Sequence, residues 1–381
     1  MKILLLGEYS RLHTTLKEGL VSLGHDVVLL GDGDGFKNFP MDLSVKPTFV
    51  DTSFLRIIRK SIYKIFKLDI ATIERGWRFY RHLKHLKGFD VVQLINEKPI
   101  KTLPFLERYL LKKIRESNTN FFLLSCGVDT ISVDFMMQKK FRYSLMDPYL
   151  DNPKLKNDYQ YILDYTTKSH RKTHKFLYKI IEGVIASDFD YVLPLEGHPK
   201  FLGLIPNPIN LDHLSKVPLD FTMEIVIFLG INKGTKVKKG IVFFEQALEI
   251  IQKKYGQKVK IIVVENIPYS EYLQLYAQAH ILLDQVYAYD QGYNALEAMG
   301  SGKVVFTGAE KEFLLHYNLQ EDEVCINALP EVNYIVEKLS RLIENPKEIE
   351  RIGQNAHAFV EREHHYLKIT KCYLDSWKKG G

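Results

Sequence analysis

A turn rich in glycine and lysine, GINKGTKVKKG at residues 230–240, has the composition of an anion-binding loop. It follows an apolar run and precedes an amphipathic segment that ends at Gly256, which predicts a strand, a turn and a helix. Glycines let backbone N–H groups approach an anion, and the following helix N-terminus adds partial positive charge. Three lysines could neutralise phosphate oxygens: Lys233, Lys238 and Lys239. A mobile, solvated loop explains this stretch alone equally well, and the Walker A pattern is not matched.

A second stretch, DQGYNALEAMGSGKVVFTG at residues 290–308, places a carboxylate on a short helix rich in small residues. We expect Gly292 to make a turn, Asn294 to be the N-cap, and residues 295–300 to be helical, with Gly302 ending the helix before a buried strand. Glu297 would lie one turn into this helix, whose N-terminus points out of the carboxyl edge of a sheet. Such a carboxylate is either a capped surface residue or a ligand-binding group.

Polar side chains also follow apolar runs in the first third of the chain, at residues 2–7, 89–96 and 120–129. Because the carboxyl ends of parallel strands meet at one edge of a sheet, these side chains are candidates for facing a cleft. They are Glu8, His13, Asn96, Glu97 and Asp129. Each of them alone is more often a helix cap or a turn residue.

The elements that must position these residues alternate between strand and helix, which predicts α/β domains with parallel sheets. We expect helices near residues 103–116 and 176–185 and a short strand at residues 191–194. The chain of 381 residues is long enough for two domains. We place their boundary at the proline-rich segment IPNPIN, residues 205–210, because its prolines favour an extended connector.

Composition argues against several protein classes. The N-terminal apolar run at residues 3–6 is too short for a signal peptide or a membrane span. The three cysteines are widely spaced and in no ligand pattern, which suggests neither a disulfide framework nor a zinc site. We therefore expect a cytoplasmic protein.

Basic residues concentrate between residues 54 and 90, where ten Lys and Arg stand against three Asp and Glu, although the whole chain carries only +6. Those between Arg56 and Lys67 recur at helical spacing, with apolar residues on the other side. A basic amphipathic helix is typical of a membrane-surface element. The alternative is an ordinary surface helix whose apolar side faces the core. The apolar side comprises Leu55, Ile58, Ile62, Ile65 and Phe66.

The strand, lysine turn, helix and LEAMGSGK segment resemble the C-terminal donor-binding domain of GT-B fold glycosyltransferases, especially the retaining family 4 type. KILLLGEYSRLHTTLKEGLVSLGHDVVLL resembles the family's N-terminal domain, and IPNPINLD resembles its connector. The resemblance implies an α/β GT-B fold with two Rossmann-like parallel-sheet domains facing across a cleft. It implies an acceptor-side domain at 1–205, a nucleotide-sugar-binding domain at 206–360 and a C-terminal helix at 361–381 that returns to the first domain.

The resemblance also implies roles for individual residues. Glu297 matches a glutamate that hydrogen-bonds the ribose hydroxyls of a nucleotide sugar. Lys239 matches the lysine that holds the diphosphate, and Lys233 lies near the place of an arginine. The backbone after the glycine turn would approach the phosphates and the sugar, at Gly292, Tyr293 and Asn294.

Two features depart from the family pattern. The family's first glutamate, which meets the transferred sugar, falls on Tyr289, with Asp290 one position away. The histidine of the family's catalytic region is absent, and Asp129 lies in that region. The predicted catalytic residues are therefore Asp290, Asp129 and His13, of which His13 is expected to touch acceptor or donor.

The resemblance thus predicts a metal-independent, retaining hexosyltransferase that needs no cofactor and takes a UDP- or GDP-linked sugar as its substrate. We expect a glycan or lipid-linked acceptor from bacterial cell-surface polysaccharide biosynthesis, and no nucleic acid partner. Residues 54–87 would hold this cytoplasmic protein at the inner face of an anionic membrane. Two alternatives are a nucleotide-sugar epimerase of the same fold and a catalytically inactive sugar-nucleotide-binding subunit.

Overall fold

The computed structural model describes residues 1–66, 69–214 and 224–380 and contains two parallel β-sheets. The N-terminal strands are β1 (Lys2–Leu6), β2 (Asp26–Gly31), β3 (Leu43–Ser44), β4 (Val91–Leu94), β5 (Asn120–Ser125), β6 (Gly183–Ala186) and β7 (Phe201–Leu204). The helices among them are α1 (Leu12–Ser22), α2 (Ser53–Phe66), α3 (Ile70–His82), α4 (Pro104–Glu116), α5 (Thr130–Met137), α6 (Asp147–Asp151), α7 (Gln160–Leu163), α8 (Lys168–Ile180) and α9 (Phe189–Leu195).

The second sheet follows the same alternation. Its strands are β8 (Ile225–Ile231), β9 (Val259–Glu265), β10 (Ile281–Leu283), β11 (Val304–Thr307) and β12 (Ile326–Asn327). The helices are α10 (Ile241–Tyr255), α11 (Tyr269–Ala277), α12 (Tyr293–Gly300), α13 (Lys311–Tyr317), α14 (Val332–Glu344), α15 (Pro346–Glu363) and α16 (Tyr366–Gly380). The predicted fold class, two Rossmann-like parallel-sheet domains, is confirmed.

The strand orders are β3-β2-β1-β4-β5-β6-β7 and β12-β11-β10-β8-β9, with every pair parallel. In each sheet the chain winds outward in one direction and then crosses to the other side of the first strand. The loops after β8 and β10 therefore diverge at the carboxyl edge of the second sheet, and those after β1 and β4 do so in the first. Crevices at such switch points are where open α/β sheets bind ligands.

Both faces of the first sheet are buried. In β1, Leu4 and Leu6 enter one core cluster, and Ile3 and Leu5 enter the cluster on the opposite face. This alternation explains why a strand of a doubly covered sheet reads as a continuous apolar run.

The C-terminal helix α16 completes the core of the first domain. Ile369 and Tyr373 join the same cluster as Ile3, and the Trp377 indole Nε1 donates a hydrogen bond to Gln93 Oε1 at 2.9 Å. The first sheet ends at Leu204 and the second begins at Ile225, and the predicted boundary at residues 205 and 206 lies in this connection. That boundary stays a prediction.

Two local predictions before the connection are wrong. Residues 183–186 form the buried strand β6 rather than the end of a helix, and helix α8 ends at Ile180. Residues 191–194 lie in helix α9 rather than a strand, because Asp188 caps the helix by accepting the backbone N–H of Asp190 at 3.1 Å. Short apolar runs suit a strand and a buried helix equally well, so the local pattern could not decide.

Candidate active site

A cavity of about 310 Å³ lies between the two domains, where the loops after β8 and β10 meet loops of the N-terminal domain. Its walls are mainly apolar, with six aromatic side chains and a few charged groups, as is usual for sites that bind small molecules. The N-terminal domain contributes, among others, Tyr9, Cys126, Phe141, Tyr161, Asp188, Asp190 and Tyr191. The C-terminal domain contributes Thr235, Lys238, Lys239, Tyr287, Asp290, Gln291, Gly292 and Tyr293, among others.

Lys239 is held at the cavity by the two strands of the switch point. It lies at the end of the turn after β8, and its Nζ is 2.8 Å from Oδ1 of Asp284, which follows β10. Asp284 is almost completely buried, and Asn294 Nδ2 donates to the same oxygen at 3.2 Å. One third of the Lys239 side chain stays exposed, so its ammonium group is both oriented and accessible.

The other two lysines of the turn have different surroundings. Lys233 is 71% exposed, pairs with Glu265 at 2.9 Å and does not line the cavity. Lys238 is buried, and its Nζ donates to the carbonyl oxygen of Asp158 in the N-terminal domain at 2.7 Å. The structure therefore brings Lys239 and Lys238 to the cavity and leaves Lys233 at the surface.

Helix α12 begins at the cavity. Gly292 precedes its first residue, so the expected N-cap at Asn294 is wrong. Asn294 lies inside the helix and bonds to Asp284 and, through Oδ1, to the Tyr272 hydroxyl at 3.3 Å. The Tyr293 hydroxyl lies 2.6 Å from Thr15 Oγ1, which links α12 to helix α1 of the other domain.

Glu297 lies one turn into α12 and is half-buried. Burial raises the pKa of its carboxyl group, and the nearby charges of Arg11, Lys37 and His213 oppose that rise. No hydrogen bond holds this carboxylate within the residues that the structure describes, and it lies outside the cavity wall. It is therefore a partly desolvated acceptor without a structural partner.

Asp290 is buried and belongs to a group of carboxylates that spans the domain boundary, in which Asp188 and Asp190 are half-buried. Asp290 accepts the backbone N–H of Phe189 at 3.2 Å, and Asp190 accepts the backbone N–H of Tyr289 at 3.1 Å, so each reaches into the other domain. Burial raises the pKa of Asp290 and of Asp190 to about 7. Burial and then the charges of these two residues hold the pKa of Asp188 well above its usual value. Carboxyl groups of this kind can exchange protons near neutral pH.

His13 is placed in helix α1 and is fully buried. Its Nδ1 is bonded to the carbonyl oxygen of Gly7 at 2.8 Å, and burial lowers the pKa of the imidazole to about 3. The side chain does not line the cavity, although Tyr9 and Leu12 beside it do. A role for His13 in catalysis stays a prediction.

Asp129 is the N-cap of helix α5. Its Oδ1 accepts the backbone N–H of Ser132 at 2.7 Å, its own N–H donates to Ser132 Oγ at 3.1 Å, and the Ser125 hydroxyl donates to Oδ2. These bonds occupy both carboxylate oxygens, and Asp129 lies outside the cavity wall. In this arrangement Asp129 stabilises the start of α5 as its N-cap. Its catalytic role stays a prediction.

Tyr289, at the position of the family's first glutamate, packs between the domains. Its hydroxyl accepts the backbone N–H of Arg142 at 2.6 Å, and the Arg142 guanidinium lies 4.6 Å from its ring centroid. The rings of Phe141 and Tyr143 lie 4.9 and 5.5 Å from it. Only 2% of Tyr289 is exposed, so this position serves packing between domains.

Sequence reasoning missed Asp188 and Asp190. They follow β6 as Asp129 follows β5, and the segment SDFD would have drawn attention if the strand had been recognised at residues 183–186. Within residues 1–66, 69–214 and 224–380, no three His, Cys, Asp or Glu residues are grouped as metal ligands. In the same residues, every helix is too short or too polar to cross a bilayer.

Residues 239–375 match a family model described as glycosyl transferase-like. This segment begins at Lys239 and contains the Asp284 carboxylate and helix α12. No curated protein matches the chain in sequence.

Solved structures of similar fold include sucrose-phosphate synthase from Thermosynechococcus elongatus, at 15% identity and a TM-score of 0.61, with 100% of this chain and 99% of that chain covered. Anabaena HepE in complex with UDP and glucose is 12% identical, with a TM-score of 0.61 and 99% of each chain covered. The UDP-GlcNAc 2-epimerase of Neisseria meningitidis, bound to UDP-GlcNAc, is 14% identical, with a TM-score of 0.52 and 100% of both chains covered. These likenesses confirm the GT-B fold and the resemblance to its glycosyltransferases, and the retaining family 4 subtype stays a prediction.

Proposed function

We propose that the protein is a glycosyltransferase that uses a nucleotide sugar as its donor. The observation that carries this proposal is the ion pair between Lys239 and Asp284, which presents an ammonium group at the cavity beside the start of helix α12. The switch point of the second sheet thus combines a cation with helical N–H groups, which together suit a diphosphate. The match of residues 239–375 to a glycosyl transferase-like family model supports the same function.

The residues divide the work of donor binding. Lys239 and the first N–H groups of α12 stabilise the negative charge that grows on the nucleoside diphosphate as its bond to the sugar breaks. Asp284 positions Lys239. Glu297 offers the ribose hydroxyls a carboxylate that accepts no hydrogen bond from the described part of the chain. In this proposal no residue forms a covalent bond to the sugar. Retention of the anomeric configuration and catalysis without a metal are two further parts of the proposal.

The acceptor is proposed to be a glycan or a lipid-linked molecule that enters beside the N-terminal domain. Six aromatic side chains face the cavity, among them Tyr9, Phe141, Tyr191 and Tyr287. Aromatic rings with a polar edge suit a sugar, which presents both apolar C–H faces and hydroxyl groups. A place at the inner face of an anionic membrane would bring a lipid-linked acceptor to this cavity.

A nucleotide-sugar epimerase is the second candidate, and the three aspartates at the cavity favour it. Asp188, Asp190 and Asp290 line the cavity, and a carboxyl group with a pKa of about 7 can both remove and return a proton at neutral pH. The similar structures include a UDP-GlcNAc 2-epimerase. Proton exchange at carbon would distinguish this activity from sugar transfer.

The first experiment is a thermal-shift screen with UDP, GDP, ADP and CDP. A nucleoside diphosphate that binds the folded chain should raise Tm by mass action, by a few degrees at about a hundredfold excess over Kd. UDP is the first choice because HepE and the epimerase are seen with UDP or a UDP-sugar. The absence of a shift with all four would contradict both candidate functions.

The second experiment separates them. The protein is incubated in deuterated water with sugars linked to the nucleoside diphosphate that binds in the first experiment. One sample contains a sugar acceptor and the other does not. Release of nucleoside diphosphate that depends on acceptor supports transfer. Deuterium incorporation into the sugar without release supports the epimerase, and binding with neither reaction supports an inactive subunit.

A further inference from the structure

Helices α2 and α3 expose an unusual concentration of large apolar side chains. Of the nineteen exposed large hydrophobic side chains in the described residues, seven lie on these two helices. On α2, Ile57 and Ile65 are 66% and 72% exposed, and on α3 Trp77 is 52% exposed. Exposed apolar residues are ordinary when scattered singly, whereas a concentration of them marks an interaction surface.

The exposed apolar row of α2 runs beside an exposed basic row. Arg56, Lys60 and Lys64 follow one another at four-residue spacing, and Ile57 and Ile65 lie in the adjacent row. No ion pair with a carboxylate involves these three basic residues within the described part of the chain. Lys67 lies outside that part.

The exposure of these residues does not come from a loosely attached helix. Arg59 fastens α2 to the start of α3, because its Nε and Nη2 each lie 2.7 Å from an oxygen of Asp69, the N-cap of α3. Helix α3 is fastened in turn by Glu74, which accepts three backbone N–H groups of residues 48–50 at 2.9 Å. Ile58 and Ile65 are exposed, so the alternative interpretation, in which the apolar side of α2 packs on the core, is wrong for these two residues.

We propose that α2 and α3 form a docking surface for an anionic lipid bilayer. The basic row meets the lipid headgroups, while Ile57, Ile65 and Trp77 enter the boundary between headgroups and acyl chains. Charge complementarity favours this occupant over a second copy of the chain, because two copies would bring like charges together. Aliphatic rows likewise find no counterpart on a nucleic acid, and tryptophan is typical of the bilayer interface. This inference rests on the proposed function, because it assigns the membrane contact of that function to named residues. Its test measures binding and does not require enzyme activity.

Vesicle cosedimentation tests the proposal. The protein should bind vesicles of phosphatidylcholine with 30% phosphatidylglycerol and should bind pure phosphatidylcholine at least about tenfold more weakly. The variant Arg56→Glu/Lys60→Glu and the variant Ile57→Ser/Ile65→Ser should each lose at least about tenfold in binding. Equal binding of wild type and both variants would overturn the proposal, as would equal binding to both vesicle types.

Matched control variants change the same chemistry on α10 of the second domain and in the turn that follows it. Val242→Ser/Ile250→Ser removes exposed aliphatic groups, and Lys253→Glu/Lys258→Glu reverses exposed charges. Both controls should bind vesicles as the wild type does. A loss in the controls equal to that in the α2 variants would show that net charge or hydrophobicity, rather than this surface, causes binding.

Tryptophan fluorescence reports insertion directly, because the chain has two tryptophans and Trp377 is buried. Anionic vesicles should shift the emission to shorter wavelength, brominated lipids should quench it, and Trp77→Phe should abolish both effects. An unchanged emission on bound protein would overturn the insertion of Trp77. A variant that loses vesicle binding but keeps its nucleotide-induced rise in Tm separates this proposal from the proposed donor site.

Discussion

At the scale of single residues, the partners of a carboxylate distinguish a structural group from a group free for a ligand. Both oxygens of Asp129 accept hydrogen bonds from residues of its own helix turn and strand. Among the residues that the structure describes, Glu297 has no such partner, although it is half-buried. A desolvated carboxylate without hydrogen bonds weakens folding and is ready to accept bonds from a ligand.

Glu297→Gln should lower nucleoside diphosphate affinity by about tenfold or more, because a charged acceptor of ribose hydroxyls becomes a neutral one. Folding should not suffer, since the substitution removes a partly desolvated charge. Titration calorimetry gives the affinity, and thermal melting gives the stability. Glu249→Gln on the exposed face of α10 is the matched control. A fall in Tm at unchanged affinity would show that Glu297 is a structural carboxylate.

Asp290→Asn should flatten the pH dependence of unfolding. Burial raises the pKa of Asp290 to about 7, so between about pH 4 and 7 the folded chain binds more protons than the unfolded chain. The free energy of unfolding of the wild type therefore falls as pH rises through this range. In the variant this fall should be smaller by about 1–3 kcal/mol. Urea unfolding at pH 5 and pH 8 measures the difference. Asp375→Asn, at an exposed position of α16, should leave the slope unchanged.

At the scale of elements, the lysine turn depends on the conformation of its last residue. Gly240 has a φ of 66°, and a Cβ there would lie 2.8 Å from Val286 Cβ and 3.1 Å from the Tyr287 ring. The turn and the loop after β10 thus pack against each other where Lys239 meets Asp284. The position of the Lys239 ammonium group therefore depends on the close contact between the turn after β8 and the loop after β10. Gly240 permits this contact because it has no Cβ.

Gly240→Ala should destabilise the fold by about 2–4 kcal/mol and weaken nucleotide binding, since left-handed strain adds to a steric clash. Gly24→Ala is the control, because Gly24 also has positive φ, 82°, in the turn that ends α1, and a Cβ there meets no described atom within 4 Å. It should cost only about 1 kcal/mol. Urea melts and calorimetry on both variants measure the effects, and equal losses would show that strain alone, without contact to residues 286 and 287, explains them.

At the scale of the whole molecule, the cavity exists because side chains cross between the domains. Arg142 of the N-terminal domain forms ion pairs with Glu310 and Glu312, and Tyr143 bonds to Glu310. Tyr289 packs against the same segment. The residue at the position of the family's first glutamate therefore helps to hold the domains in the arrangement that forms the cavity.

Arg142→Met should shift the molecule toward a more open arrangement. The guanidinium is 40% exposed, so its pairs are worth about 1–2 kcal/mol together, enough for roughly a tenfold change in an open-to-closed equilibrium. Small-angle scattering should show a larger radius of gyration, and nucleotide should reduce it. Arg171→Met is the control, because Arg171 forms a comparable pair with Asp134 inside one domain. An unchanged radius for Arg142→Met would contradict a closing role.

The sequence by itself determined the features that are local in the chain. The apolar runs and glycines predicted β1, β4, β5, β8, α4 and α10, and the segment LEAMGSGK predicted a helix that carries Glu297. These predictions succeeded because strands, helices and turns depend on residues within a few positions of one another. The same local view failed at residues 183–195, where a four-residue strand and a seven-residue helix have similar apolar patterns.

Only the tertiary structure decided which candidates share a site. Asp190 meets Tyr289, and Lys238 meets Asp158, across about a hundred and about eighty residues of chain. Whether a polar side chain caps a helix, as Asp129 does, or faces a cavity, as Lys239 does, depends on neighbours that the packing of two sheets brings to it. The physical reason is that hydrogen bonding and desolvation depend on which residues are close in space. Local sequence patterns do not show which distant residues become neighbours.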